Sequence, residues 1–142
     1  MSVAKIMSKS PVMVEMDNSL KVVKDIFNRT RFHHLLVVDS GRLTGVISDR
    51  DLLKVLSPAV GTPAETSRDA AALNKKAHQI MTREPISISP DVSILDAIDI
   101  FNTHAISCIP VVVDDGRPVG IVSWRDILRF IAAQRDRQSA GA

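Results

Sequence analysis

The sequence predicts an α/β fold of the mixed α+β kind, built from two copies of one βαββα unit. Two observations predict it. Much of the first half recurs in the second half at a nearly constant offset, and both copies show the same order of strand-like and helix-like patterns. The chain has 142 residues, of which 45% are hydrophobic and 24% charged, so it is long enough to bury the core of one compact domain.

The repeat consists of residue matches at an offset of 74, which becomes 75 after one extra residue in a turn. At offset 74, the four residues Asp25–Asn28 are identical to Asp99–Asn102. At offset 75 the matching pairs include Gly45 with Gly120, Ser48 with Ser123, Arg50 with Arg125, and Asp51 with Asp126. Because turn, charged and core positions all match together, we interpret the two halves as one duplicated unit.

Each copy begins with a short strand and a helix. Hydrophobic residues alternate at 12–14 and at 86–88, in each case behind a proline. Ser19 and Ser93 then occupy positions suited to a helix N-cap. Apolar residues follow at helical spacing, at 20, 23, 26 and 27 and again at 94, 97, 98 and 101, which predicts an amphipathic helix in each copy.

A hairpin and a second helix complete each copy. Runs rich in β-branched residues at 35–38 and 109–113 predict buried strands. Turns at 40–42 and 114–116 lead into further strands at 43–47 and 119–122. The second helix is predicted to begin at Ser48 in the first copy and at Ser123 in the second.

The predicted organisation has four parts: a first repeat at 1–57, a linker with a short helix at 58–76, a second repeat at 77–134 and a flexible tail at 135–142. In the linker, Pro58, Gly61 and Pro63 indicate a loop, after which Thr66 or Ser67 begins a helix that runs to residue 77. A single copy of about 50 residues buries too little surface to be stable alone. We therefore expect the two copies, related by an approximate two-fold axis, to form one module.

Composition argues against several classes of function. The net charge is only +2, and the basic stretch 129–137 is expected to be a solvent-exposed helix end, so we expect no nucleic-acid partner. No signal peptide and no membrane span are apparent, and a single Cys108 fits a reducing compartment, so we expect a cytoplasmic protein with no membrane partner.

No catalytic or metal-binding motif is apparent either. The sequence has no P-loop, no nucleophile elbow, no zinc-protease motif and no paired cysteines, so we predict that it is not an enzyme and requires no cofactor. His33 and His34 are adjacent just before a predicted strand and should point to opposite faces, so we expect no metal site. We expect Cys108 to be an inert core thiol.

The repeats resemble the cystathionine β-synthase domain, or CBS domain, which occurs as a tandem pair called a Bateman module. The resemblance covers about residues 3–56 and 77–132. It is carried by the Ile-Met-(Ser/Thr) lead-in, the proline before the first strand, the Ile-Pro-Val-Val run at 109–112, and the Gly-x-x-Ser-x-x-Asp pattern at 45–51 and 120–126. In this family adenosine-containing ligands such as AMP, ADP, ATP, S-adenosylmethionine or a nicotinamide dinucleotide occupy clefts between the repeats, and modules usually associate into flat homodimers.

The Gly-x-x-Ser-x-x-Asp pattern has the chemistry to bind a nucleotide. A helix that begins at the serine directs unpaired backbone N–H groups at an anion. The aspartate three residues later can accept hydrogen bonds from both hydroxyls of a ribose. The alternative is an ordinary N-cap serine with a favourable acidic residue in the first turn.

The resemblance assigns residues from both copies to each of two clefts. The first would comprise Ile47, Ser48, Asp51, Glu84, Ser107, Ile109 and Pro110, and the second Ser10, Val12, His33, Leu35, Val122, Ser123 and Asp126. The side chains of Arg50 and Arg125 would reach a phosphate or form surface salt bridges. Three positions depart from the pattern, namely Leu36 opposite Pro110, the bulky Trp124, and Glu84 opposite Ser10. The Ser48 and Asp51 cleft is slightly favoured.

The sequence therefore predicts a regulatory module that senses an adenosine-containing nucleotide. With no enzyme or channel domain attached, it is expected to signal in trans to an unidentified effector protein, as a homodimer. The alternative is a ligand-free dimerisation or interaction module with degenerate clefts.

Overall fold

The computed structural model describes residues 1–141 and confirms the predicted mixed α+β fold class. In each copy one or two short strands precede a helix, a two-stranded hairpin and a second helix. In chain order the elements are a 3₁₀ turn (Val3–Lys5), β1 (Ser8–Lys9), β2 (Met13–Glu15), α1 (Leu20–Arg29), β3 (His34–Asp39), β4 (Arg42–Ser48), α2 (Asp49–Val55), α3 (Ser67–Ala72), α4 (Ala77–Ile80), β5 (Thr82–Arg83), α5 (Ile94–Thr103), β6 (Cys108–Val113), β7 (Arg117–Ser123) and α6 (Trp124–Ala140). Within residues 1–141, none of these helices has the length and apolar character needed to cross a membrane.

Two compact units divide the chain, and their limits do not coincide with the two repeats. We call Val12–Pro85 the central unit. The terminal unit combines Met1–Pro11 with the chain from Ile86 onward. The Ile6-Met7 lead-in of the first repeat therefore lies in the terminal unit, with most of the second repeat. The Ile80-Met81 lead-in of the second repeat lies in the central unit, with most of the first repeat.

The central unit contains a four-stranded sheet in the order β2-β3-β4-β5. Strand β2 lies parallel to β3, and the other pairs are antiparallel. In the β3–β4 hairpin the register shifts between Val37 and Val38, which marks a β-bulge. The hairpin ends with His34 opposite Ser48, so the start of α2 lies beside the first residue of β3.

The terminal unit contains a three-stranded antiparallel sheet in the order β1-β7-β6. Its bulge, between Val111 and Val112, lies at the position that matches the bulge of the first copy. The strand predicted at 86–88 is wrong in extent, because only Ile88 forms an isolated parallel bridge, to Val111. The reason is the proline in β6. In the central unit the Leu36 N–H donates to the Val12 carbonyl at 3.1 Å, and Pro110 at the matching position has no N–H to donate.

The exchanged lead-ins explain why each repeat needs its glycine. Strand β1 pairs with β7, with Lys9 opposite Gly120, and β5 pairs with β4, with Arg83 opposite Gly45. A Cβ atom on Gly120 would collide with the Met7 side chain, and one on Gly45 would collide with the Met81 side chain. The glycines therefore provide space for the methionine of the Ile-Met lead-in.

Each unit has its own hydrophobic core. The buried core residues of the central unit are Val14, Leu20, Val23, Leu35, Val37, Ile47, Leu52, Ala77 and Met81. Those of the terminal unit are Val3, Ile88, Ile94, Ala97, Ile109, Val111, Val122 and Ile127. Many of these residues occupy matching positions, so the duplication preserved the interior. Cys108 is buried and forms no disulfide, in agreement with the expected core thiol.

The N-caps of α1 and α5 are confirmed, since the hydroxyls of Ser19 and Ser93 accept hydrogen bonds from Val22 N and Asp96 N. The linker helix is shorter than predicted. It is capped by Thr66 and ends at Ala72, and the segment up to residue 80 contains a separate short helix, α4.

The predicted flexible tail at 135–142 is largely helical, because α6 continues to Ala140. Residues 129–140 contain neither glycine nor proline and several strong helix formers, which favours continuation up to Gly141. Residue 142 lies outside the described residues.

Candidate functional site

The start of α2 holds Ser48 and Asp51 in a reciprocal capping box. The Ser48 hydroxyl accepts a hydrogen bond from Asp51 N at 3.1 Å, and Asp51 Oδ2 accepts one from Ser48 N at 2.8 Å. Both residues are half-buried. The strand β4 ends and the helix begins at the same serine, so the local geometry agrees with the sequence interpretation of this motif.

The start of α6 repeats this arrangement with one change. Asp126 Oδ2 accepts hydrogen bonds from Ser123 N at 2.8 Å and from Ser123 Oγ at 3.2 Å. Here the serine hydroxyl points at the carboxylate, whereas the Ser48 hydroxyl accepts from a helix N–H group. The two motifs therefore share the aspartate cap and differ in the role of the serine side chain.

Both aspartates keep one oxygen available. Oδ2 is the oxygen used in each cap, and Oδ1 of Asp51 and Oδ1 of Asp126 form no hydrogen bond with any described residue. A carboxylate oxygen can accept two hydrogen bonds. The N-cap interpretation is thus correct for both aspartates, and it fixes a half-buried carboxylate that still has acceptor capacity for a ligand.

Arg50 and Arg125 occupy matching positions in the first turns of α2 and α6 and are exposed. Within residues 1–141 neither guanidinium forms an ion pair or a hydrogen bond. Their side chains are consequently free to turn towards an anionic ligand next to the helix start.

Ser10 and Glu84 occupy matching positions before the prolines and share an unusual backbone conformation. Their φ angles are +55° and +47°, in the left-handed region that residues other than glycine seldom adopt. Both side chains are exposed. Left-handed residues at corresponding places in two repeats indicate a turn imposed by the fold, and such turns are frequent at ligand sites.

His33 is held by the neighbouring helix start. Its Nδ1 lies 2.8 Å from Asp49 Oδ2, and the Asp49 N–H donates to the His33 carbonyl at 2.9 Å. Burial lowers the pKa of the adjacent His34 below its ordinary value of 6.5, and this effect exceeds the opposing attraction of Asp49 and Asp51.

Several apolar residues assigned to the clefts belong to the unit cores. Leu35 and Ile47 are fully buried in the core of the central unit, and Ile109 and Val122 in the core of the terminal unit. Their side chains contact other core residues, so the contribution of these four positions to a ligand would come from the main chain. Val12 packs at the edge of the central core.

Ser48, Asp51 and Glu84 belong to the central unit, whereas Ser107 and Pro110, assigned to the same cleft, belong to the terminal unit. Ser107 is exposed and Pro110 is buried. That Ser107 and Pro110 form one cleft with Ser48 and Asp51 stays a prediction.

Sequence reasoning missed Lys5, Arg129 and Arg137, which line a cavity beside Asp126 in the terminal unit. A signal for two of them was present. Positions 126, 129 and 137 lie on one face of a continuous helix. The expectation of a solvent-exposed helix end is confirmed for Arg129 and Arg137, which are exposed, and it gave no indication of the cavity.

Comparison with known proteins identifies the repeats. The model of the CBS domain matches residues 3–58 and 77–133. A CBS domain-containing protein of Dictyostelium discoideum is 32% identical over 131 residues, which cover 91% of this chain and 90% of that protein. An inosine-5′-monophosphate dehydrogenase of Nitrosopumilus maritimus is 30% identical over 123 residues, and the match covers 86% of this chain and 22% of that enzyme.

Solved structures share the fold. The CBS domain pair of protein MJ0100, crystallised with 5′-methylthioadenosine and S-adenosyl-L-methionine, superposes with a TM-score of 0.77 at 30% identity and covers 94% of this chain and 98% of that one. The protein CBSX2 from Arabidopsis thaliana superposes with a TM-score of 0.76 at 23% identity, and the match covers 96% of each chain.

Proposed function

The chain belongs to the CBS-domain family, and on this premise we propose that it is a regulatory module that binds an adenosine-containing ligand and signals in trans. In this proposal Asp51 and Asp126 accept hydrogen bonds from ribose hydroxyls. Backbone N–H groups at the starts of α2 and α6, with Ser48 and Ser123, contact the polar groups next to the ribose.

One observation carries the proposal: the same free carboxylate oxygen occurs at the same place in both repeats. Each Oδ1 lies beside a helix start whose aspartate is already fixed by its cap. A pre-positioned acceptor loses little side-chain entropy when it binds a ligand. The crystallised ligands of the CBS pair of protein MJ0100, which is 30% identical to this chain, favour an adenosyl compound.

Binding of such a ligand would regulate by shifting the population of two arrangements of the module. The ligand can change that equilibrium only by its difference in affinity for the two states. An effector protein that contacts one arrangement would sense the change. This role requires binding and no turnover.

The test is isothermal titration calorimetry and thermal denaturation with S-adenosylmethionine, 5′-methylthioadenosine and AMP. At 100 times the Kd, a ligand should raise the free energy of unfolding by about 2.7 kcal/mol. No binding by any adenosyl compound would refute the proposal.

Asp51→Asn and Asp126→Asn assign the sites. An asparagine Oδ1 can still accept the Ser48 or Ser123 N–H, so the cap persists while the carboxylate charge is lost. We expect the affinity of the mutated site to fall by about tenfold or more. Asp96→Asn is the matched control, because Asp96 occupies the same position of α5, after the cap residue Ser93. Equal affinities in all three variants would contradict the assignment.

A second candidate role, as a dimerisation platform, is favoured by an apolar face on α5 and α6. The exposed hydrophobic residues there are Leu95, Trp124, Leu128 and Ile131. An open cavity of about 330 Å³ in this face is lined by Ile98, Phe101, Asn102, Trp124, Ile127 and Leu128. An exposed apolar patch of this kind is typical of a protein interface, and we propose that a second copy of the chain covers it.

Leu128→Glu tests this second role, with Leu53→Glu as the control at the matching position of α2. The two leucines are 65% and 74% exposed, so neither change disturbs a core. Light scattering should show a dimer for the unmodified chain and for Leu53→Glu, and a monomer for Leu128→Glu. A chain that is monomeric without any substitution would refute it.

A further inference from the structure

A groove of about 560 Å³ lies in the terminal unit, between the first residues of the chain and α6. Its lining residues are Met1, Lys5, Ile6, Asp126, Arg129, Phe130, Ala133, Gln134 and Arg137. The volume is within the range of small-molecule sites, roughly 300–1,000 Å³. Ile6 and Phe130 pack against the core of the unit, so the floor of the groove is fixed.

The α6 residues of the groove form one continuous stripe. Positions 126, 129, 130, 133, 134 and 137 repeat at intervals of three and four, which places them on one face of the helix. Along the axis, Arg129 lies about 4.5 Å and Arg137 about 16 Å beyond Asp126, at 1.5 Å per residue. The cations therefore extend away from the aspartate along one line.

The charge of the groove is strongly positive. Lys5, Arg129 and Arg137 contribute three positive charges against the single negative charge of Asp126. Within residues 1–141, none of the three cations forms an ion pair or a hydrogen bond. Three uncompensated cations around an apolar floor favour an anion with several charges.

The central unit does not repeat this pattern of charges. Gln79 and Lys54 occupy the positions that match Lys5 and Arg129. Helix α2 ends at Val55, before the positions that would match 133–137. The cationic stripe is thus a property of the terminal unit alone.

We propose that this groove binds the polyphosphate chain of a nucleotide whose ribose is held by Asp126. The inference rests on the proposed function and specifies the ligand class of its α6 site, a nucleoside di- or triphosphate. A single phosphate lies next to the ribose, close to Arg129, and only a longer chain extends towards Arg137. S-adenosylmethionine carries a net positive charge, so the same cations disfavour it.

Titration of the full chain with AMP, ADP, ATP and S-adenosylmethionine, without Mg²⁺, tests the proposal. We expect ATP to bind at least about tenfold more tightly than AMP, the effect of one to two charge-assisted hydrogen bonds. Arg129→Gln with Arg137→Gln should abolish this preference, since both side chains are exposed and their loss leaves the core intact. Arg137→Gln alone should reduce the preference and leave AMP affinity within about threefold, because a single phosphate does not extend to Arg137. Lys54→Gln is the matched control and should retain the preference.

The outcomes separate the two proposals. Equal affinities for AMP and ATP, or a preference for ATP that survives the double variant, would refute the polyphosphate site in the groove. Neither result would contradict the proposal that the chain binds an adenosyl ligand. Titration with inorganic tripolyphosphate, which has no ribose, tests the cationic groove separately from the ribose contact of Asp126. If no adenosyl compound binds while tripolyphosphate binds and the double variant abolishes this, the groove is an anion site and the ribose assignment is wrong. If neither an adenosyl compound nor tripolyphosphate binds, both the groove proposal and the proposed function are refuted.

Discussion

Two helical faces of the molecule, α1–α2 of the central unit and α5–α6 of the terminal unit, have the same fold and different chemistry. The matched pairs, central residue first, are Lys21 with Leu95, Lys24 with Ile98, Asp49 with Trp124, and Leu53 with Leu128. Three of the four central residues are charged, and all four terminal residues are apolar. The same backbone therefore presents a polar surface in one unit and a hydrophobic surface in the other.

The interiors show no such divergence. Leu35 and Ile109, which match each other, are both fully buried, and so are Ile47 and Val122. Buried positions must fill a fixed volume with apolar atoms, whereas an exposed position tolerates most side chains. The duplicated fold thus constrained the cores, caps and glycines and left the outer faces free to acquire separate roles.

The largest effects should come from the matched core positions. We expect Leu35→Ala and Ile109→Ala each to lower the free energy of unfolding by about 2–5 kcal/mol, since each leaves a cavity in a fully buried site. Leu53→Ala, on a side chain that is 74% exposed and lies outside the proposed dimer face, should change it by less than about 0.5 kcal/mol. Urea denaturation measures all three. Clearly unequal costs for Leu35→Ala and Ile109→Ala would contradict the proposed equivalence of the two interiors.

Smaller losses are expected from the glycines beneath the lead-in methionines. Gly45→Ala should cost about 1–3 kcal/mol, because the new methyl group collides with the Met81 side chain. Gly120→Ala should behave alike against Met7. The double variant Gly45→Ala with Met81→Ala should be more stable than the sum of the single changes implies, since removal of the long side chain relieves the collision. Additive costs would show that the glycine is needed for another reason.

Much of this architecture is predictable from sequence because local rules and the repeat agree. The N-caps, the hairpins and the start of each second helix lie where the serines and the β-branched runs predict them. The conserved offset also indicated Asp51 and Asp126 as a pair. Their local role as caps follows from the three-residue spacing alone.

The remaining features depend on contacts that local patterns do not contain. The exchange of lead-ins joins Met7 to Gly120 across more than 100 residues, and neither residue alone signals it. The loss of the strand at 86–88 results from Pro110 on a neighbouring segment. The cationic groove requires α6 to continue beyond Gln134, where the polar composition suggested a frayed tail.

Removal of the Ser48 and Ser123 hydroxyls should lower the free energy of unfolding by modestly different amounts. Ser48→Ala removes the acceptor of the Asp51 N–H, so a loss of about 1 kcal/mol is expected. Ser123→Ala removes only a hydroxyl that donates to Asp126, whose other bond, from Ser123 N, is retained. Its cost should therefore be smaller than that of Ser48→Ala. Chemical denaturation of the two variants compares them directly, and an equal or reversed order would show that both hydroxyls act as acceptors in solution.

The smallest expected effect is on the pH dependence of the free energy of unfolding. It comes from His34, whose matching position in the terminal unit is occupied by Cys108. Burial lowers the pKa of His34 below 6.5, so below pH 6.5 the unfolded chain takes up a proton that the folded chain binds only at lower pH. The contribution of His34 to stability is thus complete above about pH 6.5 and declines on acidification. His34→Gln should reduce the loss of unfolding free energy between pH 7 and pH 5.5, measured by urea denaturation. His104→Gln, at an exposed site, is the control, and an unchanged pH slope in His34→Gln would show that this imidazole takes up its proton equally in both states.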